Sequence, residues 1–166
     1  MLLRSAVVTG GAESAGTITA IAGFANMTAL STTGVSMPFD AARDGFVFGE
    51  GAAVLVLERL DLAVARGARI LGEVLGSASN ADAHHITAPS PGGTGAAACM
   101  RLALEDAGLA PGDVRQINAH GTSTPLNDAA EAEACVAVFG RQGPPVTSIK
   151  GGTRSEEHTS ERQSPY

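Results

Sequence analysis

An α/β fold is the architecture this sequence predicts, and three features predict it. Ala52–Leu57 is a continuous apolar run with Val54 and Val56 inside it, so both faces read as covered, as in a central strand flanked by helices. Val114–Asn118, a helix opening at Asn127 or Asp128, and Pro145–Ile149 form a strand–helix–strand succession whose spacing makes the two strands parallel. An apolar content of 44% in 166 residues is sufficient for a sizeable core.

The elements follow in order. Ala6-Val7-Val8-Thr9 reads as a buried strand that enters a tight turn at Gly10-Gly11. The Gly/Ala/Thr-rich stretch from Ala12 to Gly34 carries helix formers without a sharp period, so its pattern fixes no element. Pro38-Phe39-Asp40 and Arg43-Asp44-Gly45 punctuate a loop. Beyond the central strand, a short helix over about Leu60–Arg66 stops at Gly67. Arg69–Gly76 reads as a further strand, interrupted by Gly72. Thr94 is positioned to cap a helix through Ala107, with Ala96, Met100, Ala103, Leu104 and Ala107 on its inner face and Gly108 and Pro111 beyond its end. The later helix would turn Ala132, Cys135, Val136 and Phe139 inward and end at Gly140.

Charge and cysteine usage narrow the function classes. A net charge of −6 with no basic cluster argues against nucleic acid or an anionic membrane as partner. Met1–Gly11 is too short for a membrane span and lacks a signal-peptide layout. Cys99 and Cys135 lie far apart on helical, apolar faces, where a thiol acts as a small hydrophobe, and they fit a reducing compartment. A cytoplasmic protein is expected. His84 and His85 have no third ligand spaced with them, so no metal site is expected.

Ligands of parallel sheets bind beyond the carboxyl ends of the strands. His120 and Lys150 end two strands joined by one crossover, and the intervening helix begins on the same edge. Asp128 and Glu131 are the carboxylates placed to meet Lys150, with Thr122, Ser123 and Thr124 as a hydroxyl-rich loop beside them. Topology alone leaves two accounts open: a catalytic cluster, or strand-end and capping residues of ordinary kind.

The motifs favour the first. Asn118-Ala119-His120-Gly121-Thr122-Ser123-Thr124-Pro125, followed by Asp128 and Glu131, resembles the NAHGTSTP…D…E motif of β-ketoacyl-acyl carrier protein synthases. Arg43-Asp44-Gly45-Phe46-Val47-Phe48-Gly49-Glu50-Gly51 is similar to that family's RDGFV-GEG stretch. Asp82-Ala83-His84-His85-Ile86-Thr87 resembles a segment of its elongating KAS II-type branch, and Val7–Glu13 its V-AGGAE strand and turn. The matches keep their order from about Ala6 to Lys150.

The resemblance implies a thiolase-like layered α/β fold, present in part: residues 1–67 as the end of the N-terminal half and 68–153 as the start of the C-terminal half. It implies decarboxylative condensation of an acyl thioester with malonyl-acyl carrier protein. His120 matches a histidine that stabilises the carbonyl oxygen of the decarboxylating thioester. Lys150 matches the family lysine and Glu131 the glutamate paired with it, Asp128 supports them, and Thr122 and Thr124 match residues that bond the phosphopantetheine arm, with Thr87 in the same tunnel. No resident cofactor is implied, because that arm arrives on the acyl carrier protein; a homodimer is. The glycines around Glu50 are expected to serve close packing.

Two family elements have no counterpart here: the nucleophilic cysteine, and the second histidine five residues after the lysine, where Ser155 stands. Gly151 also replaces a family serine. Residues 154–166, RSEEHTSERQSPY, resemble the translation of a sequencing-library adapter, departing from it at Arg162. The chain is therefore expected to be an internal piece of a synthase, inactive alone. The resemblance leaves two other parents open: a polyketide ketosynthase, which shares the HGTST run, and a non-catalytic chain-length-factor-like partner, against which His120, Lys150 and Glu131 argue.

Overall fold

The computed structural model describes residues 5–152. The adapter-like run and Ser155 lie outside them. The elements are β1 (Ala6–Glu13), α1 (Ile18–Asn26), β2 (Gly51–Glu58), α2 (Leu60–Ala65), α3 (Thr94–Ala107), β3 (Ile117–Asn118), α4 (Pro125–Phe139) and β4 (Val146–Thr147). Strands and helices are interspersed along the chain, as expected of an α/β fold.

β1 and β2 pair antiparallel, from Ala6 opposite Glu58 to Glu13 opposite Gly51. Two expectations change here. Gly10-Gly11 does not turn the chain, because the ladder to Val54 and Ala53 carries the strand straight through both glycines. Nor is β2 covered on both sides. β1 is its only strand partner among the described residues, and Val8 and Val56 are 71% and 67% exposed. The apolar pattern of β2 specifies a buried strand, and the described residues do not supply the layers that would bury it.

Thr17 caps α1, its side-chain oxygen accepting from the Ala20 N–H at 3.3 Å. Behind α1, Phe24, Phe46 and Phe48 meet edge to face with centroids 5.1 to 5.5 Å apart, and Leu30 bridges Phe46. Arg69–Gly76 forms no strand. The stretch has no ladder partner among the described residues; Gly76 lies against the backbone of α3 and Ser77 donates its N–H to Asp106 at 2.9 Å.

α3 spans the residues expected of it, one position aside: Gly93 is the cap and Thr94 the first helical residue. The parallel pair is as expected, Ile117 opposite Val146 and Asn118 opposite Thr147. α4 starts earlier than expected. Thr124 is its cap and Pro125 its first residue, where a missing N–H costs nothing. Asp128 thus falls inside the first turn and is free to bond elsewhere. The inward stripe of α4 is also rotated: Ala134 and Cys135 are buried while Ala132 and Val136 are exposed beside an open groove. α3 packs against α4, and its cap Gly93 lies against Ala130 and Ala134.

The largest fully buried side chains are polar, Ser123 and Asp128. Buried polar groups need partners, and theirs lie on the loop before Gly45. The N–H of Met37 donates to Ser123 Oγ at 2.9 Å and that of Phe39 to Asp128 Oδ2 at 2.8 Å. Arg43 donates to the carbonyls of Thr124 at 3.4 Å and Pro125 at 3.0 Å. This clasp fastens the loop at 37–43 to the start of α4.

Candidate active site

The clasp holds one side of the loop from Ala119 to Thr124; the other side carries the chemistry. Ala119 is tied to β4 through its N–H and the Thr147 carbonyl at 2.7 Å. His120 leaves the strand immediately after that bond and is exposed. Glu131, on the second turn of α4, reaches back and accepts two backbone donors, the His120 N–H at 2.7 Å and the Gly121 N–H at 2.8 Å. A carboxylate with an acceptor oxygen for each of two adjacent N–H groups fixes the local backbone as one unit. Asn127 bridges the two acids, donating to Asp128 Oδ1 at 3.1 Å and Glu131 Oε2 at 3.4 Å.

Lys150 arrives from the other strand, on a one-turn 3-10 helix at Ile149–Gly151. Its ammonium donates to the carbonyl of His120 and stands 3.2 Å from His120 Nδ1. An ammonium has donors and no acceptor, so Nδ1 must present its lone pair. In the tautomer that accepts from Lys150 at Nδ1, the ring proton is on Nε2, and that distal nitrogen is a donor.

This geometry corrects one expectation and refines another. Lys150 and Glu131 do not pair; among the described residues the ion pairs are Arg43–Asp128 at 3.7 Å, Arg59–Asp61 and Arg66–Glu58. Glu131 is committed to the backbone and Lys150 to the histidine. Both act on His120, one through its main chain and one through its ring. Asp128 likewise faces the Phe39 N–H rather than Lys150.

A cavity of about 510 Å³ opens beside the site, lined by His120, Asn127 and Glu131 at one end and by Ala96, Met100 and Ala103 at another. Thr122 and Thr124 share a hydrogen bond at 2.9 Å and do not line it. Thr87 does not line it either, and is exposed. The Thr87 and Ala88 N–H groups donate to His85 Nδ1 at 3.1 and 3.0 Å, so His85 organises that turn. Among the described residues no cluster of three or more histidine, cysteine or acidic side chains is disposed to hold a metal.

Cys99 lines the cavity, with its thiol turned to the Ala78 carbonyl at 3.5 Å. Burial, and then the charge of Glu131, push the Cys135 thiol up, which keeps it protonated and unreactive. The glycines around Glu50 divide. Gly45 is pressed on the backbone of Leu30 and Ser31, whereas Gly49 and Gly51 face open space. Glu50 itself accepts from the Gly16 N–H at 2.9 Å. Sequence reasoning missed Ser148 and the role of Arg43. Ser148 stands two residues before Lys150, and Arg43 sits in a quoted motif, so both positions were in view without a partner to define them.

A loop bearing His120, backed by Lys150 and Glu131, stands at the carboxyl edge of a parallel pair on an α/β scaffold. Residues 3–63 match the family description "Beta-ketoacyl synthase, N-terminal domain" and residues 71–154 match "Beta-ketoacyl synthase, C-terminal domain". The chain belongs to the β-ketoacyl synthase family, and its fold is that of the ketosynthases. It is 50% identical over 139 residues to a 3-oxoacyl-[acyl-carrier-protein] synthase 2 of Staphylococcus aureus, covering 81% of this chain and 34% of that protein. It is 51% identical over 140 residues to the protein of the same name from a Synechocystis strain, with the same coverages. The chain thus spans about a third of the length of these relatives.

Among solved structures, a β-ketoacyl synthase from Burkholderia phymatum superposes with a TM-score of 0.82 at 43% identity, over 89% of this chain and 36% of that one. A chain from a type II polyketide acyl-carrier protein in complex with its ketosynthase gives 0.85 at 36% identity, over 89% and 38%.

Proposed function

We propose that this segment supplies the decarboxylation half-site of a 3-oxoacyl-[acyl-carrier-protein] synthase of the elongating type, an acyltransferase of fatty acid synthesis. The observation that carries the reading is the Lys150–His120 contact, which leaves Nε2–H as a preorganised donor. In the reaction, the bond between the malonyl carboxylate and C2 breaks, CO2 leaves, and the electron pair moves toward the thioester carbonyl oxygen. An N–H donor already aimed at that oxygen stabilises the charge without reorganisation. C2 then attacks the carbonyl carbon of the acyl thioester; the new carbon–carbon bond forms as the acyl carbon–sulfur bond breaks and the thiolate leaves.

Thr122 and Thr124 would bond the phosphopantetheine arm of the acyl carrier protein, with Thr87 further along the same path, and that arm makes a resident cofactor unnecessary. We place the boundary between the two halves at residues 67 and 68, where α2 has ended. The parent is read as a cytoplasmic homodimer. Among the described residues no helix is long and apolar enough to cross a membrane. The higher identity to the 3-oxoacyl synthases than to the polyketide complex favours the fatty acid reading. Retention of the whole His120–Lys150–Glu131 set disfavours a non-catalytic partner.

The test is malonyl-acyl carrier protein decarboxylation by a full-length synthase carrying this segment. Loss of one donor to a developing oxyanion costs about 10²- to 10³-fold in kcat, so His120→Ala should lower turnover by that factor. Unchanged decarboxylation in His120→Ala would remove the assignment.

A further inference from the structure

The long-range contact between His120 and Lys150 joins two exposed side chains from the segments that follow different strands, and exposed partners of this kind are not held in place by burial. Ser148 is the group that lies between their backbones. Its Oγ accepts the Lys150 N–H at 3.3 Å, donates to the Gly121 carbonyl at 3.1 Å, and has the His120 carbonyl at 3.4 Å. One hydroxyl therefore starts the turn that carries the lysine and grips the loop that carries the histidine.

Gly121 shows how close this grip is. Its φ of +42° favours glycine, and a Cβ there would stand 2.7 Å from Ser148 Oγ and 3.1 Å from Phe39 Cε2. At Gly121 the loop lies close to both the serine side chain and the Phe39 ring. Phe39 is fixed in turn by its N–H bond to buried Asp128. Ser148 also caps the turn that carries the lysine.

We propose that Ser148 is a positioning residue for the decarboxylation step, setting the Lys150–His120 contact and hence the donor tautomer of His120. Its hydroxyl uses both functions of the group, one acceptor and one donor, so alanine abolishes the role and threonine preserves it. The inference rests on the functional reading of His120 given above, but its structural core can be read without catalysis.

The experiment compares wild type, Ser148→Ala and Ser148→Thr in a full-length synthase carrying this segment. Two quantities are measured: the 15N signal of His120 Nδ1, and kcat and KM for malonyl-acyl carrier protein decarboxylation. Expected are a displaced or broadened Nδ1 signal and a kcat about 10-fold lower in the alanine variant, with KM within about twofold, since one hydrogen-bonded positioning group is lost. Threonine should restore both. An unmoved Nδ1 signal in Ser148→Ala, or no rescue by a folded threonine variant, overturns the proposal. Should the wild type fail to decarboxylate, the functional reading falls, while the Nδ1 signals still decide whether Ser148 sets the contact.

Discussion

Removing the Asp128 carboxylate should loosen the whole clasp between the loop at 37–43 and the start of α4. Asp128 is 1% exposed and accepts from the Phe39 N–H at 2.8 Å. A hydrogen bond to a charged acceptor contributes about 1.5–3 kcal/mol, and leaving the part-buried Phe39 N–H without that partner adds up to ~1–3 kcal/mol. Asp128→Ala is therefore expected to cost about 3–5 kcal/mol, in line with the truncation of one member of a buried polar pair. Arg43 contributes little to that figure. Its Nε stands 3.7 Å from the carboxylate and its guanidinium is spent on the Thr124 and Pro125 carbonyls. Asp128→Asn keeps an oxygen for Phe39 and should cost only ~1–2 kcal/mol.

Amide exchange is the assay, read at Met37, whose N–H bonds Ser123 and not Asp128. Cooperative opening of the clasp predicts exchange at Met37 faster by about 10²- to 10³-fold in Asp128→Ala. A double-mutant cycle with Arg43→Ala should give a coupling under ~1 kcal/mol. Unchanged Met37 protection in the alanine variant, or a coupling that accounts for most of the loss, would refute the reasoning.

Other expectations follow from the same geometry. Lys150→Met removes the donor to His120 Nδ1, and a charge-assisted bond of this kind corresponds to a fall of about 10- to 100-fold in decarboxylation, measured as CO2 release. Gly121→Ala meets the Ser148 side chain at a positive φ, so it should lower stability by ~1–3 kcal/mol and displace the His120 ring signals. The Ser31 and Thr32 hydroxyls, helped by the Thr32 and Thr33 N–H groups, hold the Asp44 carboxyl well below its usual range. A depressed folded value stabilises above the unfolded one, near 3.8, and that contribution is lost as pH falls below it; Asp44→Asn should flatten the acid limb of the unfolding curve. The bare faces of β1 and β2 should bind a hydrophobic dye in the 166-residue chain, and Val54→Lys with Val56→Lys should reduce that signal.

How far the sequence led depended on whether the decisive contact was local. α3 was legible almost to the residue because its period and its terminal glycine lie within one window. The parallel pairing of β3 and β4 followed from the crossover rule. The site loop was legible from its motif, and His120, Lys150 and Glu131 are brought to one edge. Their wiring was not. A lysine and a glutamate near each other suggest an ion pair, yet two adjacent N–H groups bind the carboxylate, and the lysine ammonium meets the His120 carbonyl and Nδ1 instead. β2 and Arg69–Gly76 were misjudged for the opposite reason: their patterns describe burial by layers that the described residues do not include. The inward face of α4 depends on what packs against it, which no single-helix period can reveal.

The claim on which the account stands is that His120 is a neutral Nε2–H donor because Lys150 occupies Nδ1. Ring 15N NMR of a histidine-labelled full-length synthase carrying this segment, at neutral pH with His120 assigned by substitution, reads this directly. The account predicts an unprotonated Nδ1 and a protonated Nε2, with the preference lost in Lys150→Met. A proton on Nδ1, or a preference that persists without the lysine, would contradict it.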